Sequence, residues 1–287
     1  GTAVGDAYGA PFEFAEGAPL HSVRSSAEKR YLRCREDVGM PIRRCRTSGL
    51  YTDDTQQSLV LLWIWNQMVD KNKDPLVAEA IATLFSKVCS RMATEKVDPR
   101  AFSFGLHRGT GKNFREAIIK GEPPDTAGLG AAMRIGPVAT LLPSPDALLP
   151  WIIEVSASTT SNPVALAGAA MIGFHAWCLA HPDEAPTDEA TLGASLPPKL
   201  HEAWIALTTA REVLKNKGEA GLLQFAKGSG MAGRELRSAA DGFALTGVPW
   251  VLACTQDATT FEAPLLPACA SGGDKDTVCA ITGCFAA

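Results

Sequence analysis

The sequence lacks the features that mark several large classes of protein. The net charge is −4 at pH 7, so no basic surface for nucleic acid or for anionic membranes is expected. The eight cysteines include no Cys-x-x-Cys pair, which argues against a disulfide scaffold. No secretory signal follows Gly1. We therefore expect a cytoplasmic, monomeric protein with reduced thiols and with neither nucleic-acid nor membrane partners.

Long apolar runs and alternating strand patterns are also scarce. One segment, Pro163–Ala180, is long enough to span a membrane, but it is rich in Ala and Gly and carries His175. We interpret it as a buried helix. The best strand candidate, Arg30–Cys34, is short and surrounded by charge.

Helix signals, by contrast, recur along the chain. A capping residue precedes a proline at Asp74-Pro75, Asp98-Pro99, Ser144-Pro145 and Asn162-Pro163. Helical spacing of apolar residues extends from Val77 to Met92 and from Leu200 to Leu214. The stretches 142–145 and 185–198 are predicted loops. These patterns predict an all-α fold in a single domain over residues 1–287.

The segment YTDDTQQS (Tyr51–Ser58) places two adjacent carboxylates before an apolar run. Asp53 and Asp54 point about 100° apart inside a helix, so they can share a ligand only near its start. With Thr52 as the N-cap, the helix dipole alone would account for both acids. A metal site is the alternative interpretation.

A second acidic segment near the C-terminus has the same layout. SGGDKDTVCAITG places Asp274, Asp276 and Thr277 before another apolar helical run, and Gly272 and Gly273 allow a tight loop. The segment is not an EF-hand, which requires Gly at its sixth position and Glu at its twelfth. If the two segments meet, their oxygen ligands suit a pair of Mg²⁺, Mn²⁺ or Ca²⁺ ions rather than zinc.

Glycine-rich loops suggest where phosphates would bind. The stretch from Gly128 to Arg134 would bring backbone N–H groups close to phosphate oxygens. Arg134 and Lys112 could offset phosphate charge, although solvated or core-bracing roles are commoner for such residues. Neither GTGKNF (Gly109–Phe114) nor the Gly128 stretch completes a Walker or a dinucleotide-binding motif.

The ordered motifs GDAYGAPFEF, YTDDTQQS, GLGAAMRIGPVA and GGDKDT resemble those of the ADP-ribosylglycohydrolases. The resemblance implies an orthogonal bundle of helices, two Mg²⁺ ions and hydrolysis that releases ADP-ribose from an ADP-ribosylated protein, with cleavage at C1″. It implies as metal ligands Thr52, Asp53, Asp54, Asp274, Asp276 and Thr277. It places the proton-transferring acid at Glu13, with Asp53 and Asp54 as the other catalytic residues.

The same resemblance implies substrate contacts at Gly128, Gly130, Ala131, Met133, Arg134, Ser161, Gly273 and Lys275. Three positions depart from the usual family pattern: Leu129 replaces Asn, Ser161 replaces His, and Lys275 stands between two expected ligands. Arginine-linked ADP-ribose is the favoured substrate and serine-linked ADP-ribose the other. Three further possibilities are a non-catalytic ADP-ribose binder, a crystallin-like structural protein, and a metal-dependent hydrolase of another phosphate or nucleotide.

Overall fold

The computed structural model describes residues 1–10, 51–94, 106, 110–184, 188–231, 235–256 and 258–286. Within these ranges the regular structure consists of twelve helices and one isolated antiparallel bridge, which joins Gly128 to Phe243. The helices in chain order are α1 (Thr2–Gly9), α2 (Asp53–Asp70), α3 (Ala78–Thr94), α4 (Lys112–Lys120), α5 (Ala132–Ala139), α6 (Pro145–Ala157), α7 (Pro163–Ala180), α8 (Glu189–Ala194), α9 (Pro198–Gly228), α10 (Ala244–Thr255), α11 (Leu265–Ala270) and α12 (Lys275–Phe285). The all-α prediction is confirmed.

Two of the predicted helix starts are confirmed in detail. Ser144 caps α6 by accepting a hydrogen bond from the N–H of Ala147, and Asn162 caps α7 through the N–H groups of Val164 and Ala165. In each helix proline occupies the first turn, where its missing N–H costs no intrahelical bond.

Other sequence predictions need correction or lie outside the described residues. At Asp74-Pro75 the side chain accepts from the N–H of Leu76 and closes a turn, so α3 begins only at Ala78. The predicted loop over 185–198 contains α8, which Asp188 caps through Thr191. The Asp98-Pro99 start and the Arg30–Cys34 strand fall outside the described ranges.

The core is built around α7. This helix is apolar and long enough to cross a membrane, but 72% of it is buried inside the protein, where it packs against α5, α6 and α9. The surrounding buried side chains form one cluster that reaches from Tyr8 in α1 to Ile281 in α12. A single domain over residues 1–287 stays a prediction, because residues 11–50 are not described.

Helices α1 and α12 approach each other unusually closely. A Cβ added to Gly5 would lie 2.0 Å from the carbonyl oxygen of Cys279, and one added to Gly9 would lie 2.2 Å from that of Lys275. Only glycine lets the two backbones come this near. The contact places Asp6 of α1 beside Asp276 of α12.

Candidate metal centre and adjoining cavity

Three buried carboxylates converge from distant parts of the sequence. Asp6, Asp54 and Asp276 each offer an oxygen, and these oxygens lie within 4.8 Å of one another. They come from α1, α2 and α12 respectively. The structure therefore brings together the two acidic segments and adds Asp6, which the sequence analysis did not assign.

The start of α2 fixes the geometry of Asp54. Thr52 is the N-cap, and its Oγ1 donates to Asp54 Oδ2 at 2.6 Å. Asp53 and Asp54 both lie in the first turn, so capping and dipole effects apply to them as expected. The side chain of Asp54 is nevertheless buried in the acidic cluster rather than exposed to solvent.

Asp6 links α1 to this helix start. Its Oδ2 accepts hydrogen bonds from the N–H of Thr52 at 2.8 Å, the N–H of Thr55 at 3.2 Å and the Thr55 hydroxyl at 2.7 Å. Burial raises the pKa of Asp6, and these hydrogen bonds act in the opposite direction. Oδ2 is thus committed to holding α2, while Oδ1 is buried without a hydrogen-bond partner.

The electrostatics of the cluster favour a bound cation. Burial, followed by repulsion from Asp6, Asp276, Asp53 and Asp274, raises the pKa of Asp54 well above its ordinary value. Among the described residues, Oδ1 of Asp6 and Oδ1 of Asp54 are buried without a hydrogen-bond partner. Unpaired buried carboxylate oxygens are costly. An all-oxygen donor set of this kind fits Mg²⁺, Mn²⁺ or Ca²⁺.

The second acidic segment is held in place by the loop before α10. Asp274 is the N-cap of α12, and its N–H donates to the carbonyl of Ala240 at 2.7 Å. Gly273 has a φ of 96°, and Gly242 has a φ of 75°. A Cβ on Gly242 would lie 2.8 Å from Asp274 Oδ2, so glycine is required beside this carboxylate.

A cavity of about 390 Å³ adjoins the carboxylates. The predicted site residues that line it are Asp53, Asp54, Gly128, Gly130, Ala131, Met133, Arg134, Asp274, Asp276 and Thr277. Further lining residues include Gln57, Asn113, Phe114, Thr159, Thr160 and Asp241. The predicted glycine loop therefore lies next to the acidic cluster, and α5 begins directly after it at Ala132.

Arg134 borders this cavity but is already engaged by protein groups. It is fully buried, its Nη1 donates to Gln57 Oε1 at 2.7 Å, and its Nη2 donates to Thr159 Oγ1. The guanidinium carbon lies 5.1 Å from the centre of the Phe85 ring and 5.5 Å from that of Phe114. Burial lowers the pKa of Arg134 to about 10, which leaves it charged at neutral pH.

Several predicted substrate contacts do not line the cavity. Ser161 is exposed, and its N–H donates to the carbonyl of Pro124. Gly273 packs against the backbone of Ala240 and Asp241. Lys275 is fully buried; burial lowers its pKa, while the nearby thiols of Cys269 and Cys279 act in the opposite direction. Glu13 lies outside the described residues, and its role stays a prediction.

The residues that sequence reasoning missed carried only weak signals. Asp6 follows Gly5 within the first quoted motif, and the Gly5–Gly9 spacing is typical of closely packed helices. Gln57 stands four residues after Asp53, which places both on one face of α2. For Thr159 and Asp241 no pattern in the sequence pointed to the cavity.

Comparison with known proteins bears directly on this arrangement. The family model described as ADP-ribosylglycohydrolase matches residues 1–287. A solved structure titled "ADP-ribosylglycohydrolase-related protein complex" is 21% identical in sequence and has a TM-score of 0.60, and the match covers 99% of this chain and 83% of that chain. This second likeness concerns the fold. No curated protein matches the sequence.

The family match and the geometry agree. The described parts of the motifs that carried the resemblance contribute to the carboxylate cluster and the wall of the cavity, and the matching family model extends over all four motifs. The chain belongs to the ADP-ribosylglycohydrolase family.

Proposed function

We propose that this protein removes ADP-ribose from modified protein side chains by hydrolysis at C1″, with Mg²⁺ as its cation and Mn²⁺ as a substitute. One observation carries the proposal: Asp6, Asp54 and Asp276 bring buried carboxylate oxygens within 4.8 Å of one another beside a cavity of about 390 Å³. Family membership supports the class of reaction.

The cation site would be formed by both acidic segments. The residues that would hold two Mg²⁺ ions are Thr52, Asp53, Asp54, Asp274, Asp276 and Thr277. Asp6 would stabilise the position of these ligands through its hydrogen bonds to Thr52 and Thr55. When bound, the ions would supply Lewis acidity toward the ribose oxygens and a template that orients the sugar.

The glycine loop suits the diphosphate of ADP-ribose. Gly128, Gly130 and Ala131 line the cavity, and no atom would lie within 4 Å of a Cβ on Gly130. Helix α5 has no side-chain cap at its N-terminus, and such helix starts bind phosphate through backbone N–H groups. Met133 would pack beside the ligand in the same wall.

Proton transfer is assigned to Glu13 on the basis of its motif alone. As a general acid it would protonate the leaving group, and as a base it would then activate water. The surrounding carboxylates would favour the positive charge that develops on the sugar in an oxocarbenium-like transition state. Glu13→Gln should abolish turnover and leave Mg²⁺ binding intact.

Arginine-linked ADP-ribose is the favoured substrate on the basis of the motif resemblance. Among the described residues the cavity is lined by five carboxylates, those of Asp53, Asp54, Asp241, Asp274 and Asp276, and by the guanidinium of Arg134. Two divalent ions together with Arg134 would balance the five negative charges. This balance does not distinguish a guanidinium leaving group from a serine hydroxyl. Serine-linked ADP-ribose is the second candidate.

The test is a panel of arginine- and serine-linked ADP-ribosyl peptides, incubated with Mg²⁺ or with a chelator. We expect Mg²⁺-dependent release of ADP-ribose from the arginine-linked peptide. Release should be about 100-fold slower in Asp54→Asn, because this variant removes a carboxylate ligand of the proposed cation site. Asp146→Asn, on the exposed face of α6, is the matched control and should behave as wild type. Tight ADP-ribose binding without release from any peptide would instead indicate a non-catalytic binder.

A further inference from the structure

We propose that Arg134 is a positioning residue that sets the orientation of the Asp53 carboxylate through Gln57. The inference rests on the proposed divalent-cation site, since Asp53 is one of its expected ligands. It assigns to Arg134 a role different from the substrate contact that the sequence resemblance implied.

The three side chains form a continuous chain of contacts between α5 and α2. Arg134 Nη1 donates to Gln57 Oε1 at 2.7 Å, and Gln57 Nε2 donates to Asp53 Oδ2 at 3.1 Å. Arg134 is 0% exposed and Gln57 is 1% exposed. Arg134 and Gln57 are therefore both shielded from water. Hydrogen bonds between side chains are stronger in such a buried environment than in water.

The chemistry of arginine fixes the direction of this chain. A guanidinium group is only a donor, so the Gln57 oxygen must face Arg134. The Gln57 amide nitrogen then faces Asp53 and donates to it. Without Arg134 the amide could rotate by half a turn, and its oxygen would meet the Asp53 carboxylate with two acceptors opposed.

Arg134 itself is held rigidly. Its second amino group donates to Thr159, and the rings of Phe85 and Phe114 lie close to the guanidinium. Groups that orient a metal ligand in this way commonly change metal affinity about 10- to 100-fold when they are replaced. Both terminal nitrogens of Arg134 are therefore engaged by protein groups, Nη1 by Gln57 and Nη2 by Thr159.

The test is Mg²⁺ affinity measured by calorimetry on the purified chain without substrate. Arg134→Lys keeps the charge but cannot reach both Gln57 and Thr159, and Gln57→Met keeps the side-chain length but loses the amide. Each should bind Mg²⁺ about 10-fold or more weakly. The double variant should bind Mg²⁺ no more weakly than the single variant with the lower Mg²⁺ affinity, because both changes break the same chain of contacts. Arg91→Lys, on the exposed face of α3, should match wild type.

Two further measurements separate the possible outcomes. Circular dichroism identifies any variant that fails to fold, and Gln57→Met keeps the test valid if Arg134→Lys is such a variant. Wild-type Mg²⁺ affinity in both variants, with ADP-ribose binding lost in Arg134→Lys, would overturn the positioning role and leave the proposed function intact. No Mg²⁺ binding by wild type would overturn both.

Discussion

Asp6 serves two elements at once with its two oxygens. Oδ2 accepts three hydrogen bonds from Thr52 and Thr55, and Oδ1 is buried without a hydrogen-bond partner, while the carboxylate as a whole belongs to the acidic cluster. The same side chain thus supplies both hydrogen-bond acceptors and negative charge. Two different substitutions of Asp6 can separate these roles.

Asp6→Asn should make the metal-free protein more stable and its Mg²⁺ binding weaker. The amide oxygen can still accept from Thr52 and Thr55, while the repulsion with Asp54 and Asp276 is removed. Urea unfolding in chelator and calorimetric titration with Mg²⁺ measure the two effects.

Asp6→Ala is the matched comparison. It removes the acceptor as well, so the N–H groups of Thr52 and Thr55 lose a buried partner and the metal-free protein should be destabilised by about 1–3 kcal/mol. Equal unfolding and equal Mg²⁺ affinity in wild type and Asp6→Asn would contradict this account.

Helix α9 is interrupted where it approaches the site. Gly218 has a φ of 65° and a ψ of −169° inside the helix. Directly after it, Glu219 Oε1 accepts from the N–H of Ala239 at 2.8 Å and from the hydroxyl of Ser271 at 3.3 Å. The interruption therefore lets one carboxylate join the loops that carry Asp241 and Asp274.

Glu219→Ala should loosen these two loops. We expect a loss of about 1–3 kcal/mol in the free energy of unfolding, because the N–H of Ala239 loses its acceptor, together with weaker Mg²⁺ binding. Thermal unfolding with and without Mg²⁺ measures both. Glu212→Ala, at an exposed position of the same helix, should change neither, and a similar loss in that variant would refute the assignment.

The first residue of helix α8, Glu189, forms an ion pair that should make the free energy of unfolding depend on pH. Arg211 Nη1 lies 2.7 Å from Glu189 Oε1, and His175 Nε2 lies 3.3 Å from Glu189 Oε2. Burial raises the pKa of Glu189, but its contacts with His175 and Arg211 outweigh burial and lower the pKa to about 2 from an ordinary 4.5.

Because the folded-state pKa of Glu189 is depressed, its stabilising contribution is complete above about pH 4.5 and is lost as the pH falls toward about 2. Wild type should therefore unfold at higher urea than Glu189→Gln at pH 6. The difference should shrink at pH 2.5. A constant difference at both pH values would mean that the ion pair does not stabilise the fold.

The whole molecule depends on closure between its first and last described helices. The cluster of Asp6, Asp54 and Asp276 forms only if α1 lies against α12 at the separation that Gly5 and Gly9 allow. Gly5→Ala would place a Cβ 2.0 Å from the carbonyl oxygen of Cys279, so the two backbones must separate.

Gly5→Ala should reduce the free energy of unfolding by about 1–3 kcal/mol, as expected for an overpacked contact, and should weaken Mg²⁺ binding. Gly228→Ala is the control, since no atom lies within 4 Å of the Cβ it would add. Thermal unfolding and Mg²⁺ titration of both variants measure the effect. Unchanged Mg²⁺ affinity in Gly5→Ala would mean that closure does not determine the site.

Local signals in the sequence predicted the helices well where the backbone alone sets the start. Ser144 and Asn162 cap their helices as expected, because capping needs only the neighbouring N–H groups. The same reasoning failed at Asp74, whose side chain closes a turn, and over 185–198, where six residues form α8. Such short segments are decided by what packs around them.

The sequence by itself determined the helical class, the two acidic helix starts and the resemblance that carried the family, because each depends on residues close together in the chain. Only the tertiary structure decided that Asp6 joins the acidic cluster, that Arg134 is held by Gln57 and Thr159, and that Lys275 lies beside Cys269 and Cys279. These outcomes depend on the distances between helices. Such distances follow from the packing of the whole core and from glycine contacts whose partners no local pattern identifies.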